Sequence, residues 1–143
     1  MLTFEPITAD QTYAIRHMVL WPNEPIEYCM LAEDHAAFHF GGYVDQKLVS
    51  VASLFPDGPD KVRLRKFAIV PEMQKQGLGS KMLQEMQAFL SMSDFSTMWC
   101  DARLDAADFY LKNGFTTYRD IFHKNGVAYV KAEYKVPAQS DLS

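Results

Sequence analysis

Hydrophobic and polar positions change their period several times along the chain, and each change predicts a new element. Alternation over residues 61–66 is typical of a strand, whereas the spacing of Met82, Leu83, Met86 and Leu90 places apolar side chains on one helix face. In chain order the pattern predicts a strand at 2–6, a helix from about 8 to 20, strands at 38–44, 47–54 and 62–70, a helix ending near 90, a strand at 97–102, a helix at 105–113, and strands at 116–123 and 127–134.

The order of these elements predicts a fold of the mixed α/β class with a central, partly antiparallel sheet. Asp45-Gln46 and Asn125-Gly126 are typical of tight reversals between paired strands. Residues 26–37 have no clear period and predict a short helix within a long loop. Residues 136–143 predict a frayed polar tail.

A strand, a glycine-rich turn and a helix follow one another between residues 67 and 90. The apolar run ends at Pro71, and Gly77 and Gly79 precede the helical pattern. Because glycine lacks a Cβ, an anion can approach the main chain there and meet the free N–H groups and positive dipole end of the helix. The junction therefore predicts a site for a phosphate group.

Two common phosphate loops do not fit this spacing. A dinucleotide-binding turn needs a third glycine where this chain has Met82, and a nucleoside triphosphate loop needs Gly-Lys-Ser/Thr where this chain has Gly79-Ser80-Lys81. The remaining pattern, Gln74-x-x-Gly77-x-Gly79 after a strand, resembles the acyl-CoA pyrophosphate loop of the GNAT superfamily of N-acyltransferases. The segment from Ala106 to Phe115 resembles a later helix of the same superfamily, Ala-x-x-Phe/Leu-Tyr-x-x-x-Gly-Phe.

The two resemblances together imply one domain over nearly the whole chain. The expected fold is a central mixed, mostly antiparallel sheet of about six to seven strands flanked by about four helices, over residues 1–136, with the tail at 137–143. The implied activity is transfer of an acetyl group from acetyl-CoA, a co-substrate, to a primary amine of a small molecule or peptide, without a metal ion. The alternative is a domain that binds acyl-CoA as a sensor or interaction module without catalysis.

The resemblance also assigns residues to the cofactor. The strand before the loop would pair its main chain with the pantetheine arm, and the loop would hold the pyrophosphate. Many members have an asparagine seven residues before the motif tyrosine, where this chain has an arginine that either contacts the cofactor or points elsewhere. The expected cofactor-binding residues are Phe67, Ala68, Ile69, Gln74, Lys75, Gln76, Gly77, Leu78, Gly79, Ser80 and Arg103.

Tyr110 matches the tyrosine that acts as general acid in the superfamily, and a phenol with an ordinary pKa of about 10 holds its proton at neutral pH. The glutamates that act as bases in some members correspond here to about Arg63 and Met98, so the resemblance supplies no base. Asp101, near the end of a strand beside the expected cleft, is the tentative base, although a solvated or capping role is more usual for an aspartate. The other candidates are His39, Glu27, Asp34 and His35.

Composition adds limits to this interpretation. The 143 residues suit one domain, with 48% hydrophobic and 22% charged residues, and Cys29 and Cys100 are expected to be reduced packing residues. The net charge of −4 argues weakly against nucleic acid and is compatible with a cationic amine. The basic cluster at 61–66 is either a solvated strand face or an aid to anion binding. No membrane-length apolar run or leader pattern is present, which favours the cytoplasm, and a homodimer is possible.

Overall fold

A mixed sheet of eight strands runs through the computed structural model, which describes residues 1–137. The strands are β1 (Leu2–Ile7), β2 (Phe38–Val44), β3 (Lys47–Pro56), β4 (Lys61–Ile69), β5 (Thr97–Arg103), β6 (Thr116–Thr117), β7 (Phe122–Lys124) and β8 (Val127–Lys135). They pair in the order β1-β2-β3-β4-β5-β8, and β6 and β7 both lie against β8. All these pairs are antiparallel except β4 with β5, which is parallel.

Within residues 1–137 three α-helices accompany the sheet: α1 (Ala9–Leu20), α2 (Leu78–Ser91) and α3 (Ala107–Lys112). Short 3₁₀ turns occur at Ile26–Cys29, Ala32–Ala36, Pro71–Met73 and Leu104–Ala106. The predicted mixed α/β class is confirmed, and the described part of the chain has eight strands rather than six to seven and three α-helices rather than about four. The short helix expected in residues 26–37 is two separate 3₁₀ turns, so it adds no α-helix to the count.

The apolar face predicted for the central helix is the one that α2 buries. Met82, Leu83, Met86 and Leu90 are at most 1% exposed and belong to the main hydrophobic core. Burial of each such side chain stabilises the fold by about 1.5–3 kcal/mol. This packing holds α2 rigidly against the sheet, and with it the glycine-rich turn at its N-terminus.

The extra strand arises because the predicted strand at 116–123 is interrupted. Thr117 lies opposite Ala132 of β8 and Phe122 lies opposite Tyr129. An advance of five residues along this segment therefore matches an advance of only three residues along β8. The surplus residues form a bend at Arg119 and leave the ladder, which divides the segment into β6 and β7.

β4 contains a bulge at Lys66. Val51 of β3 lies opposite Ala68 and Ser53 lies opposite Arg65, so two steps on β3 face three on β4. Lys66 has a φ of 58°, in the left-handed region that non-glycine residues seldom adopt. A bulge bends its strand and redirects its side chains, and this one lies where β4 has left its parallel neighbour.

Of the polar tail predicted at 137–143, only Pro137 lies within the described residues. The helices of residues 1–137 include none with both the length and the apolar character needed to cross a bilayer.

Candidate functional site

An opening between β4 and β5 forms the centre of the candidate site. The two strands make only three parallel pairs, the last between Arg63 and Trp99. Beyond this pair both strands continue, β4 to Ile69 and β5 to Arg103, without facing each other in the ladder. A strand that loses its neighbour presents unpaired main-chain groups along that edge, and these groups are available to a ligand.

The main chain of Ile69 faces this opening. Val70 donates its N–H to the Val49 carbonyl of β3 at 2.9 Å. Because successive residues of a strand alternate in direction, the N–H and C=O of Ile69 point away from β3. The Ile69 carbonyl accepts a hydrogen bond of 2.8 Å from Nε2 of Gln74, so this side chain ties the loop to the end of the strand.

A cavity of about 540 Å³ occupies the opening and extends along the glycine-rich loop. Its volume lies in the usual range for small-molecule sites. Nine residues singled out from the sequence line it: Phe67, Ala68, Ile69, Gln74, Lys75, Gly77, Gly79, Ser80 and Tyr110. We call it the loop cavity.

The turn before α2 has the features of an anion site. Gly77 is the N-cap with φ of 83°, and a Cβ placed on it would meet no atom within 4 Å, so its surface is open. No side chain caps α2 and its first turn contains no acidic residue. The N–H groups of this turn are therefore free to bind an anion, with the helix dipole adding to the attraction.

Other loop residues fix the turn rather than face the cavity. Leu78 is 3% exposed and packs in the core, and Gln76 donates from Nε2 to the Glu72 carbonyl at 2.9 Å. Neither side chain lines the loop cavity, so these two residues can contact a ligand there only through their main-chain groups. A Cβ on Gly79 would lie 3.1 Å from Phe109, so the glycine permits close packing of α2 against that ring.

Tyr110 lies in the wall between the loop cavity and a second cavity of about 440 Å³, because it lines both. Burial, and next the adjacent Cys100, raises the pKa of the Tyr110 phenol well above its ordinary value. Burial likewise raises the pKa of the Cys100 thiol to about 12. The phenol therefore holds its proton across the physiological range, as a donor must, but it is a weaker acid than a free phenol.

The second cavity, which we call the basic cavity, is rich in cationic side chains. Arg63, Arg65 and Lys66 come from β4, and Lys124 comes from β7. Arg103 also lines this cavity and not the loop cavity, and its Nε lies 3.9 Å from the Asp105 carboxylate. Arg103 is thus located away from the loop residues that the sequence grouped it with.

Asp101 lines the basic cavity as well. Its Oδ2 accepts from Nη2 of Arg63 at 2.9 Å and from Nζ of Lys124 at 3.0 Å, and its side chain is 18% exposed. Both cations bind the same carboxylate oxygen. The carboxylate therefore neutralises part of the positive charge of the cluster, and its role as a base stays a prediction.

The other base candidates lie outside both cavities. Asp34 makes a two-point ion pair with the fully buried Arg16, at 2.8 and 3.0 Å, and His39 bonds to Ser53 and to the Asp34 carbonyl. Burial alone would raise the pKa of Asp34, but hydrogen bonds from Arg16 and the Leu31 N–H, with the Arg16 charge, lower it. This network joins α1, the 3₁₀ turns and β3. The remaining candidates, Glu27 and His35, are exposed.

Sequence reasoning missed several residues of the two walls. Ala106 and Phe109 fall within the motif helix, so their place in that motif was the available signal. Lys66 had only its place in the basic cluster, since its bulge depends on the register between β3 and β4. The missed residues of the loop cavity are Val19, Ala106, Phe109 and Lys112, and those of the basic cavity include Trp21, Lys124 and Tyr129.

Two neighbours among solved structures share this arrangement of elements. A GNAT family acetyltransferase from Elizabethkingia anophelis with acetyl-CoA bound superposes with a TM-score of 0.73 at 14% identity, covering 94% of this chain and 97% of that chain. The ribosomal-protein-S18-alanine N-acetyltransferase from Escherichia coli gives a TM-score of 0.77 at 18% identity, covering 96% of each chain. At these identities the similarity shows the fold.

Sequence comparison identifies the family directly. The protein described as the uncharacterized N-acetyltransferase YitI of Bacillus subtilis strain 168 is 32% identical over 143 residues, which cover 94% of this chain and 96% of that protein. Residues 17–136 match the family model described as an acetyltransferase (GNAT) domain. The chain therefore belongs to the GNAT family of acetyltransferases.

Proposed function

We propose that this protein transfers an acetyl group from acetyl-CoA to the primary amine of a small molecule or peptide, by direct attack of the amine on the thioester. The observation that carries this proposal is the position of Tyr110 between the loop cavity and the basic cavity. A C–N bond forms and a C–S bond breaks, so the amine loses a proton and the sulfur gains one. A phenol between the two cavities is suited to supply the proton to sulfur.

The loop cavity is the site that we propose for the CoA thioester. Bound acetyl-CoA would supply the activated acetyl group. The main chain of Phe67, Ala68 and Ile69 would pair with the pantetheine arm, and an N–H of this segment would polarise the thioester carbonyl, a contact worth about 3 kcal/mol of barrier. The open surface of Gly77 and the uncapped start of α2 suit the pyrophosphate. Gln74, Lys75, Gly79 and Ser80 line the cavity, and we propose that they also contact the cofactor. Gln76 and Leu78 would contact it through their main chain.

The amine would lie in the basic cavity and approach the thioester past Tyr110. An alkyl amine is protonated at neutral pH, so it must lose a proton before it attacks. Asp101 is the carboxylate among the residues that line this cavity, which supports it as the base. Its contacts with Arg63 and Lys124 mean that it would accept the proton within a network of cations.

Release of the CoA thiol on addition of an amine tests the proposal. Purified protein is mixed with acetyl-CoA and a panel of amines that covers amino acids, ω-amino acids, polyamines and short peptides, and each product is weighed by mass spectrometry. We expect thiol release that depends on the amine, with one acetyl group gained by the acceptor. Tight CoA binding with no release for any amine would instead favour the non-catalytic acyl-CoA-binding module. Propionyl-CoA and succinyl-CoA, run in parallel, test whether acetyl is the preferred group.

A further inference from the structure

The charge of the basic cavity is opposite to that of the whole protein. The chain carries a net charge of −4, yet five cationic side chains and one carboxylate line this cavity. Glu33 and Asp105 do not line this cavity, and they approach Arg65 and Arg103 only at 3.6 and 3.9 Å. Both acidic side chains are more than half exposed, so water screens them. An excess of positive charge therefore remains inside the cavity.

Lys66 is the cation of the basic cavity whose charge is least neutralised by carboxylates. Within residues 1–137 it makes no ion pair, and its ammonium instead lies 4.4 Å from the centre of the Trp21 ring. Its backbone occupies the left-handed region at the β4 bulge, which is unfavourable for a residue with a Cβ. Strained residues of this kind concentrate at functional sites. The bulge brings the side chain to the cavity that Tyr110 also lines.

The pKa of Lys66 reflects these surroundings. Burial, followed by the charges of Arg65, Arg16, Arg63 and Lys124, lowers the pKa of Lys66 to about 8. These cations approach it from β4 itself, from α1 and from β7, and Asp101 on β5 is bound to two other cations. A positive potential that disfavours another positive charge favours the binding of an anion.

We propose that the amine acceptor carries an anionic group, a carboxylate or a phosphate, which binds to Lys66 and Arg103 in the basic cavity while its amine lies near Tyr110. This inference rests on the proposed acetyl transfer and names the class of its acceptor. Arg and Lys suit these anions because they donate charge-assisted hydrogen bonds. A cavity of about 440 Å³ suits a small molecule.

The residues best suited to the phosphates of the cofactor line the other cavity. The glycine-rich loop and the start of α2 line the loop cavity, together with Lys75 and Lys112. Neither lysine lines the basic cavity, and none of Arg65, Lys66 and Arg103 lines the loop cavity. The cations of the basic cavity are thus separate from the groups suited to the pyrophosphate, and they remain available to the acceptor.

Matched amines test the proposal. Each series has the same primary amine and spacer but ends in a carboxylate, a phosphonate, a carboxamide or an ammonium group, and the spacer runs from one to five carbons. We expect kcat/KM at pH 7 to be at least about tenfold higher for the best anionic member than for its carboxamide, because the contact is charge-assisted. The phosphonate and carboxylate arms distinguish the two anions. Raising the salt concentration should reduce the preference.

Variants link the preference to Lys66. Lys66→Met should lower the ratio of kcat/KM for the anionic amine to that for the carboxamide by about fivefold or more, while Lys66→Arg should preserve it. Lys47→Met removes the same charge at an exposed hairpin position outside both cavities and should leave the ratio unchanged. The carboxamide reaction reports whether each variant folds, because it does not need the anion contact.

Binding is measured separately from turnover, by chemical-shift titration of the CoA-bound protein with the anionic amine and its carboxamide. We expect at least about tenfold tighter binding of the anionic member, with shifts at Trp21 and Lys66. Equal binding of the two, or a preference that Lys66→Met leaves intact, would overturn the inference. Failure of every amine to release thiol, with selective binding of the anionic member, would overturn the acetyl transfer alone. Equal acetylation of neutral and anionic amines would overturn only the anionic acceptor.

Discussion

Replacing Gly77 by alanine tests whether the turn before α2 binds the CoA pyrophosphate. Gly77 has φ of 83°, and a Cβ there would point into open space beside the loop cavity. The left-handed backbone costs a residue with a Cβ about 1–2 kcal/mol. The added methyl would also stand where an anion must approach the main-chain N–H groups. The substitution should therefore reduce both stability and cofactor affinity.

Gly58 provides a matched control for the backbone effect. It has φ of 87°, a Cβ on it would likewise meet nothing within 4 Å, and it lies in the turn between β3 and β4 outside both cavities. Gly58→Ala and Gly77→Ala should both lower the free energy of unfolding by about 1–2 kcal/mol. In a domain of this size that corresponds to a fall in Tm of roughly 3–8 °C.

Cofactor affinity should separate the two variants. Loss of one hydrogen bond to a charged phosphate costs about 1.5–3 kcal/mol, which weakens binding by about 10- to 150-fold. Isothermal titration with CoA should show this loss for Gly77→Ala and an unchanged Kd for Gly58→Ala. If the two variants bind CoA equally well, Gly77 does not contact the pyrophosphate and the assignment of the loop is wrong.

Three further predictions concern the proton donor, the acceptor and the fold. Tyr110→Phe should lower kcat by about 100-fold and leave CoA affinity nearly unchanged. This factor is at the low end for loss of a general acid, because the raised pKa of Tyr110 makes it a weak acid. Equal rates of the two proteins at every pH would exclude Tyr110 as the general acid. The ratio of kcat/KM for an anionic amine to that for a neutral amine of equal amine pKa should be highest at pH values well below about 8. It should fall as the pH rises through about 8, since Lys66 then loses its charge. In Lys66→Arg the ratio should stay high across this range, and a ratio that does not change with pH in the native protein would refute the prediction. Asp34→Ala leaves the buried Arg16 without its ion pair, so it should lower the free energy of unfolding by about 3–5 kcal/mol, measured by urea denaturation. Asp94 is exposed, and Asp94→Ala should lower it by less than about 0.5 kcal/mol. Because the pKa of Asp34 is lowered, its contribution to stability should persist above the ordinary aspartate pKa and be lost only as the pH falls below it.

The elements that sequence predicted best are those whose side chains have one buried face. The strand predicted at 62–70 is observed at Lys61–Ile69, and the α2 positions predicted to be apolar are buried. Burial of one face fixes the period of the pattern, so the period can be read back from the sequence. The interruption between β6 and β7 could not be read in this way, because it depends on how the segment is matched in length to β8.

The loop cavity was largely predictable because its residues are consecutive. Glycine, strand and helix signals over Phe67 to Ser80 describe one local structure, and most of these residues line the cavity. The basic cavity was not predictable, since its residues come from β4, β5, β7 and β8, from α3 and the turn before it, and from the end of α1. Lys66 lies at the β4 bulge and Arg103 lies at the end of β5, beyond its last pair with β4, and the local sequence predicts neither feature.

Asp101 connects the two proposals, because it is both the tentative base and the carboxylate that binds Arg63 and Lys124. A base acts on the amine whatever the far end of the acceptor carries, so Asp101→Asn would then lower kcat equally for anionic and neutral amines. A group that only neutralises cations acts through charge, so the same variant would make the cavity more positive and lower KM for anionic amines alone. Measuring both constants for a matched pair of amines distinguishes the roles. Because both cations bind Oδ2, Oδ1 is the oxygen that would accept the proton if Asp101 is the base.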